Sequence, residues 1–425
     1  MMKHISSWSC LGAVCLSLSL LGGCGSDSSD TPEPAAPVVV SDLPTTQDGT
    51  ALTLGYKLVD SRVVFFFNEA TQKAALDAKK ISAITGVSVR GSFNGWTTPT
   101  PAAYQMKASA TDKGVWYADI PLASVKAPGN SGQPEFQFIV AGTVDGAAGK
   151  ETYMGVPASV PLGYWFSGNQ LLVFAGDDVN AIINNSVVAS TVKTIADFNL
   201  ATTAGREKIS NFRAVPGLSK LFRTYHPFKK SRAQYDTENE RVAQVNLLMQ
   251  EHGVKADITL YKDETKSLDA ALGETLTPYY QAIVDGGHAY FIPAADYNTV
   301  YYASAGEKFG GWIKGAVEFI LDPATEAPVS IHCRLGTDRT GVFTAVLAAL
   351  GGASWDAIRA DYQRSNDMGI KEFRDYKILK YSLEQMLGVS DVAAVTDLKA
   401  AVSKHFIDGG YLTQAQIDAV VAKLK

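Results

Sequence analysis

The sequence has few cysteines, few histidines and no large excess of either charge. Three of its four cysteines, Cys10, Cys15 and Cys24, lie near the N-terminus, which leaves Cys333 as the only thiol in the rest of the chain. A disulfide framework is therefore excluded for the folded part. The six histidines lack the spacing of metal ligands, so neither a metal nor another cofactor is predicted. A net charge of −5 gives no basic surface field, so nucleic acid is not an expected partner.

The apolar stretch at residues 11–21 follows the basic residue Lys3. It has about half the length needed to span a bilayer, which predicts a secretory signal and not a membrane helix. It ends in Leu-Gly-Gly-Cys24, followed by a Ser- and Asp-rich segment, and this pattern resembles the lipobox of bacterial lipoproteins. The resemblance implies cleavage after residue 23, lipidation of Cys24 and a lipid-anchored location in the cell envelope, facing the periplasm or the outer surface. An ordinary signal peptide with a chance cysteine is the alternative.

The chain of 425 residues, with 46% hydrophobic and 19% charged residues, is too long for one ordinary domain and has ample core. After residue 50, short β-branched and aromatic runs predict an antiparallel sandwich. Alternating helices and strands then predict an α/β domain with a mostly parallel sheet. The predicted fold class is multidomain, an all-β sandwich followed by an α/β domain with a short helical tail. The predicted boundaries are a signal peptide at 1–23, a disordered tether at 24–50, the sandwich at 51–177, a linker at 178–205, the α/β domain at 206–390 and a helical extension at 391–425 that contains a Thr413–Gln416 capping box.

A loop of seven residues, Cys333 to Arg339, connects a predicted strand at 329–332 to a predicted helix at about 340–350. Such a loop can direct backbone N–H groups at an anion bound at the helix N-terminus. The guanidinium of Arg339 matches two phosphate oxygens. Amides, helix dipole and guanidinium together would lower the pKa of Cys333 and favour a nucleophilic thiolate. We expect His332 to orient the loop or tune the thiolate, and the hydroxyl of Thr340 to stabilise the sulfur as it leaves.

The string His-Cys-x5-Arg-Thr-Gly at 332–341, with Gly336 and Asp338 inside it, resembles the phosphate-binding loop of the protein-tyrosine-phosphatase superfamily, in particular its bacterial tyrosine-phosphatase-like and dual-specificity group. The resemblance spans about 206–386 and implies a phosphocysteine intermediate on Cys333. A core cysteine beside a solvated arginine would not explain why all loop positions coincide, and the loop of a rhodanese-like sulfur transferase lacks the Arg-Thr-Gly. The phosphate-binding residues implied by the resemblance are Arg334, Leu335, Gly336, Thr337, Asp338 and Arg339.

The resemblance also implies a general acid, commonly an aspartate on a loop well before the cysteine. Asp296, 37 positions before Cys333 (333 − 296), is the first candidate, with a turn or helix-capping role as its alternative. Asp338, within the loop, is the second candidate. Many bacterial members carry Asp-Leu-Arg on an earlier strand, where this chain has Thr-Leu-Tyr at 259–261. That departure removes one candidate acid and leaves the substrate class open, although Asp263 and Glu264 follow directly.

The sandwich region contains Gly-Ser-Phe-Asn-Gly-Trp at 91–96, together with strand-like runs at 114–122 and 135–142. These segments resemble the early-set (immunoglobulin-like), glycogen-binding type of carbohydrate module. The resemblance implies that Trp96 stacks on a sugar face, with Trp165 as a substitute for a second tryptophan. Gln137 stands where that family usually has a lysine. A glycan ligand is therefore one expectation, and a spacer or domain-docking role is the other.

These features predict an enzyme, a lipid-anchored phosphatase that hydrolyses phosphate monoesters of proteins or small molecules, most directly of the tyrosine or dual-specificity type. The alternatives are an extracytoplasmic inositol-polyphosphate or phosphoglycan phosphatase, and a glycan-binding surface lipoprotein with an inactive phosphate-binding domain. Arg334 adds a positive charge that suits a polyanionic substrate. Thr337, however, stands where inositide-preferring relatives have a second basic residue.

Overall fold

The computed structural model describes residues 43–425, which belong to one compact unit. The predicted signal peptide, the lipidation site Cys24 and the first part of the tether lie outside the described residues and stay predictions. Within residues 43–425, no helix is both long enough and apolar enough to cross a membrane.

The N-terminal region consists of short strands joined by turns, as its Gly- and Asn-punctuated sequence predicts. Its regular elements, in chain order, are α1 (Gly49–Leu54), β1 (Tyr56–Val59), β2 (Arg62–Asn68), α2 (Lys73–Ala78), β3 (Ile81–Gly91), β4 (Lys107–Ala108), β5 (Val115–Pro121), β6 (Glu135–Val144), β7 (Ala147–Tyr153), β8 (Trp165–Phe166) and β9 (Asn169–Leu171).

These strands form two antiparallel sheets, one in the order β1-β2-β5-β4 and the other in the order β3-β6-β9-β8, with β7 also paired to β6. Phe65 and Phe67 lie on one face of β2 because alternate residues of a strand share a face. Their rings contact those of Phe136 and Phe138 on β6, with centroid separations of 5.1 and 5.5 Å. The two sheets therefore enclose a shared apolar core, as predicted for a sandwich. Its assignment to the early-set family stays a prediction.

The C-terminal region alternates helices and strands. Its elements are α3 (Val179–Ser190), α4 (Thr203–Ser210), β10 (Arg213–Val215), β11 (Leu218–Thr224), α5 (Glu238–Glu251), β12 (Ala256–Thr259), α6 (Pro278–Asp285), β13 (Ala289–Phe291), α7 (Tyr297–Tyr302), α8 (Glu307–Leu321), β14 (Val329–His332), α9 (Asp338–Leu350), α10 (Trp355–Arg364), α11 (Tyr376–Leu387), α12 (Leu398–Asp408) and α13 (Gln414–Leu424).

Strand β14 lies at the centre of a mostly parallel sheet with the order β10-β11-β14-β12-β13, in which only β10 runs antiparallel to its neighbour. His332, the last residue of β14, is level with Thr224 on β11 and Thr259 on β12. The carboxyl ends of three neighbouring strands therefore meet where the Cys333 loop begins. In open α/β sheets this edge is the usual place for a ligand.

Helix α9 is buried from Thr340 to Leu350, which explains why its sequence is apolar on all sides. Helices α12 and α13, within the predicted extension at 391–425, contribute Phe406 and Ile417 to the same core as β14 and α9. They are thus an integral part of this domain, and the predicted capping box at Thr413 and Gln416 is present. The predicted linker at 178–205 contains helix α3, which buries Ile182.

Candidate active site

The Cys333–Arg339 loop leaves the end of β14 and enters the first turn of α9, which begins at Asp338. A pocket of about 290 Å³ opens above it. The described side chains that line the pocket are Ser231, Arg232, Cys333, Arg334, Leu335, Asp338 and Arg339. The sequence predicted five of these residues, whereas Ser231 and Arg232 come from a distant segment before α5.

Two carbonyl groups of the loop accept hydrogen bonds from the side chains of Asn211, at the end of α4, and Arg223, on β11. Asn211 Nδ2 donates to the oxygens of Leu335 and Gly336 at 3.0 and 3.2 Å, and Arg223 Nη2 donates to the oxygen of Gly336 at 2.7 Å. In a trans peptide the N–H points opposite to the C=O. The N–H groups of Gly336 and Thr337 therefore point away from Asn211 and Arg223.

Gly336 has a φ of +70°, and a Cβ built on it would lie 2.1 Å from the carbonyl oxygen of Thr224. No other residue type fits so close to the end of β11 in this conformation. The packing of the loop on the sheet therefore requires glycine at this position, whether or not a ligand also approaches it closely.

The side chains of Arg213, Arg223 and Asp361 converge on the side of the loop that faces away from the pocket. Asp361 accepts from Arg213 Nε at 2.5 Å and from Arg223 Nη1 at 2.6 Å. Burial opposes ionisation of Asp361, but the two guanidinium groups outweigh it and lower its pKa. Because Arg223 also holds the loop carbonyl, this buried ionic network fixes the shape of the loop.

Cys333 is almost fully buried at the base of the pocket. Burial alone would raise the pKa of its thiol, but the charge of Arg339 and hydrogen bonding from the hydroxyl and amide of Thr340 outweigh burial and lower it. Among the described residues, the buried hydroxyl of Thr340 has no hydrogen-bond partner of its own, which leaves it available to a thiolate on Cys333. The site therefore favours a thiolate.

Replacing Thr340 with valine is expected to raise the apparent pKa of Cys333 by roughly one unit, because one hydrogen bond to the charged sulfur is lost. The acid limb of kcat/KM should move to higher pH by the same amount. The pH dependence of iodoacetate alkylation measures this shift. Thr344→Val is the matched control, because Thr344 donates to the oxygen of Thr340 at 2.7 Å, one helical turn away from the sulfur. Equal titration curves for the two variants would contradict the prediction.

His332 is fully buried behind the loop. Its Nε2 lies 3.0 Å from Asp257 Oδ2, and its Nδ1 lies 3.0 Å from the carbonyl oxygen of Cys333. Burial opposes protonation, but the Asp257 carboxylate and the Cys333 carbonyl outweigh it and raise the pKa of His332. A protonated imidazole donates to both acceptors and so orients the Cys333 peptide. Asp257, which also accepts from Tyr280 at 2.9 Å, was missed from the sequence, although a lone aspartate inside an apolar strand was the available signal.

The two candidate acids have different surroundings. Asp296 caps α7, where it accepts from the amide of Thr299 at 2.7 Å, and it forms an ion pair with Lys308 at 2.6 Å. Partial burial is the largest influence on its pKa and acts upward, but the Lys308 contact and the cap bonds lower it. Asp338 lines the pocket itself. The structure therefore brings Asp338, and not the side chain of Asp296, to the wall of the Cys333 pocket.

Asp338 is held by two side chains that the sequence analysis missed. Arg374 donates to both carboxylate oxygens, from Nε at 2.6 Å and from Nη2 at 3.2 Å. The hydroxyl of Tyr301 donates to Oδ1 at 3.0 Å. Burial opposes ionisation of Arg374, but Asp338 and neighbouring acidic groups raise its pKa well above the usual value. No local sequence signal connects these residues, because they are separated by more than thirty positions.

The three arginines of the pocket differ in their partners. Arg334 pairs with Glu264 at 2.6 Å, and Arg232 pairs with Glu372. Arg339 donates to the carbonyls of Leu260 and Ala295 and has no acidic partner within 4.0 Å among residues 43–425. Glu264, considered from the sequence as a substitute acid, thus lies against Arg334, whereas Asp263 closes a local turn by accepting from the amide of Thr265 at 2.9 Å.

Tyr261 stands where many bacterial relatives were expected to carry an arginine. Its ring faces the guanidinium groups of Arg334 and Arg339, with separations of 5.3 and 5.1 Å from the ring centroid. Such cation–π contacts hold both guanidinium groups in place.

The two tryptophans considered for glycan binding lie at opposite edges of one sheet. Trp96 follows edge strand β3, and Trp165 lies in β8 at the other edge. Strands β6 and β9 lie between them, and glycan binding by these tryptophans stays a prediction. Next to Trp96 in the chain, the carbonyl oxygen of Gly95 accepts a hydrogen bond from the side-chain amide of Asn298 on α7 at 3.4 Å.

This fold and the cysteine loop at its centre define a cysteine-based phosphatase, which is a phosphoric monoester hydrolase. The profile of the tyrosine phosphatase family matches residues 207–424, which are 218 of the 425 residues (424 − 207 + 1). The chain belongs to the tyrosine phosphatase family.

Among solved structures, P. aeruginosa TpbA is similar at 19% identity, covering 45% of this chain and 91% of that one, with a TM-score of 0.26. A cysteine-to-serine variant of TpbA in complex with pTyr matches at 18% identity, 45% and 94% coverage and a TM-score of 0.26. The core catalytic domain of the PP-IP phosphatase SIW14 from S. cerevisiae, in complex with citrate, matches at 20% identity, 39% and 86% coverage and a TM-score of 0.24. A comparison with curated proteins finds no match.

Proposed function

We propose that this phosphatase hydrolyses phosphotyrosine-type monoesters of proteins, with Cys333 as the nucleophile and Arg339 as the phosphate clamp. One observation carries the choice of substrate. Of the three arginines at the pocket, only Arg339 lacks an acidic partner within residues 43–425. One uncompensated guanidinium suits a single phosphate group better than a cluster of phosphates.

The proposed reaction has two displacements. The Cys333 thiolate attacks phosphorus, a P–S bond forms, and the P–O bond to the leaving phenol breaks as Asp338 donates a proton to that oxygen. Water then attacks phosphorus and gives its proton to Asp338, while the P–S bond breaks and the thiolate leaves. Arg339 and the loop amides hold the equatorial oxygens in both steps. The hydroxyl of Thr340 stabilises the departing sulfur.

The assignment of the proton transfer to Asp338 is supported by its place in the pocket wall. Asp296 was the first candidate from the sequence, but its carboxylate caps α7 and pairs with Lys308, and it is not among the side chains that line the pocket. Its chain neighbour Ala295 instead accepts from Arg339 at 3.3 Å. We therefore propose that the backbone beside Asp296 holds the guanidinium of Arg339 in place, and that Asp338 acts first as the general acid and then as the general base.

An inositol polyphosphate is the second candidate substrate. Arg232 and Arg334 line the same pocket as Arg339, and together they could contact additional phosphates. Each would first have to leave its carboxylate partner, Glu372 or Glu264, which costs the energy of a partly buried ion pair. This cost favours the phosphotyrosine substrate.

A turnover panel with a phosphotyrosyl peptide, inositol hexakisphosphate and a phosphorylated glucan tests the proposal. We expect vanadate-sensitive hydrolysis with kcat/KM at least roughly tenfold higher for the peptide than for inositol hexakisphosphate, because a single phosphate group leaves both ion pairs intact. Arg334→Gln is the matched variant, and it should affect the inositol phosphate more than the peptide. A preference for inositol hexakisphosphate would contradict the phosphotyrosine assignment and favour the inositol polyphosphate. The absence of all hydrolysis would overturn the proposed function.

A further inference from the structure

Three consecutive residues before α11, Phe373, Arg374 and Asp375, connect the sandwich to the catalytic loop. Phe373 is buried against Phe166 of β8, with ring centroids 6.1 Å apart. Arg374 holds both oxygens of Asp338. The amide of Asp375 donates to the carbonyl of Asn130 in the sandwich at 2.8 Å. We call residues 373–375 the bridge segment, because its two outer residues contact the sandwich and its central residue contacts the catalytic loop.

The sandwich side of this connection is the loop at 128–133, which precedes β6. The loop is closed by a bond from the amide of Gly129 to the carbonyl of Gln133 at 2.6 Å. Glu135, itself buried, accepts from the amide of Ser131 at 2.8 Å. Such internal bonds make the loop a stiff support.

The same sandwich loop contacts helix α7. The hydroxyl of Tyr297 donates to Asn130 Oδ1 at 2.6 Å, and that of Tyr302 donates to the carbonyl of Pro128 at 3.0 Å. Between these two tyrosines lies Tyr301, which donates to Asp338 at 3.0 Å. The loop at 128–133 therefore contacts both structures that hold the Asp338 carboxylate, the bridge segment and α7.

We propose that the sandwich domain is a working part of the active site, in which the loop at 128–133 positions Asp338 through Arg374 and Tyr301. Asn130 and Gly132 are positioning residues in this scheme. The inference rests on the proposed function, because it assigns the sandwich to the proton-transfer step of that reaction. It gives the sandwich the docking role that was one of the two expectations from its sequence.

Gly132 offers a sharp test of this connection. It has a φ of +87°, and a Cβ added to it would lie 2.6 Å from Asp375 Cγ in the bridge segment. Gly146, in the turn between β6 and β7, has a similar φ of +79° but nothing within 4 Å of the added Cβ. Gly132→Ala and Gly146→Ala therefore impose the same backbone strain on the sandwich, and only the first displaces the bridge segment.

The readout is the dependence of kcat on the leaving group, measured with p-nitrophenyl phosphate and phenyl phosphate. Misplacing a proton donor slows departure of phenol much more than departure of p-nitrophenol, which needs little protonation. We expect Gly132→Ala to lose roughly tenfold on phenyl phosphate and less than about twofold on p-nitrophenyl phosphate. The rate of Cys333 alkylation should stay unchanged, and Gly146→Ala should change none of these quantities.

A double variant with Asp338→Asn completes the test. If the sandwich acts through Asp338, the leaving-group effect of Gly132→Ala disappears in the Asp338→Asn background, since interacting residues are not additive. Should Gly132→Ala fail to fold, Asn130→Ala removes only the acceptor of the Tyr297 hydroxyl and should give a smaller effect of the same kind.

Equal losses on both substrates, or losses that simply multiply with those of Asp338→Asn, would overturn the inference and leave the sandwich as a packing element. That outcome is distinct from failure of the proposed function. In the latter case the unmodified protein would show no Cys333-dependent hydrolysis of either substrate.

Discussion

Replacing Cys333 with serine is expected to lower kcat on p-nitrophenyl phosphate by about 10⁴-fold or more. The charge of Arg339 and the hydrogen bonds from Thr340 outweigh burial and lower the pKa of Cys333, which favours the thiolate over the thiol. A serine hydroxyl in the same place stays protonated and is a poor nucleophile. It is also a poorer leaving group in the second displacement, so both chemical steps are lost.

Phosphate binding should survive in the Cys333→Ser variant, because Arg339 and the loop amides do not depend on the sulfur. Calorimetric titration with inorganic phosphate checks this, and the Kd of the variant should lie within roughly threefold of that of the unmodified protein. In the unmodified protein, an acid quench during turnover of a ³²P-labelled ester should leave label on the peptide that contains Cys333. Substantial activity in the serine variant, or label on another residue, would rule out the phosphocysteine mechanism.

The chemistry of the loop could be predicted from sequence because its residues are contiguous. Cys333, Gly336 and Arg339 belong to one strand–loop–helix unit, and the strand at 329–332 lies as predicted. The helix begins at Asp338, two residues before the predicted start, because loop residues enter its first turn. Sequence patterns can predict a unit of this size, since turn, cap and helix signals act over a few residues.

The groups that hold the loop could not be predicted in this way. Asp257 and Arg374 reach His332 and Asp338 through strand order and helix packing, which local patterns do not specify. The capping role of Asp296 had a local signal, because aspartate is one of the residues preferred at the N-cap of a helix. The contact between the sandwich and the bridge segment joins two surfaces that are far apart in the sequence, and neither Asn130 nor Asp375 carries a sequence signal for the other.

Replacing Asp338 with asparagine is expected to lower kcat by about 10²-fold or more on phenyl phosphate and by much less on p-nitrophenyl phosphate. The amide cannot donate the required proton to the leaving oxygen or accept one from water. It also removes one of the two charged partners of Arg374 among the described residues, the other being Glu372, so a loss of stability is expected as well. A stability effect alone would reduce both rates by the same factor, and the ratio of the two rates therefore isolates proton transfer.

Asp296→Asn is the matched control for this substitution. Asparagine can keep the α7 cap that Asp296 forms with Thr299, while the half-exposed ion pair with Lys308 is lost, which has a small effect on stability. We expect both rates to stay within about twofold of those of the unmodified protein, because the Asp296 carboxylate is not part of the pocket wall. If Asp296→Asn changed the leaving-group ratio and Asp338→Asn did not, the proton-transfer role would belong to Asp296. The cap and its ion pair would then have to open in the substrate complex, since both bind the Asp296 carboxylate.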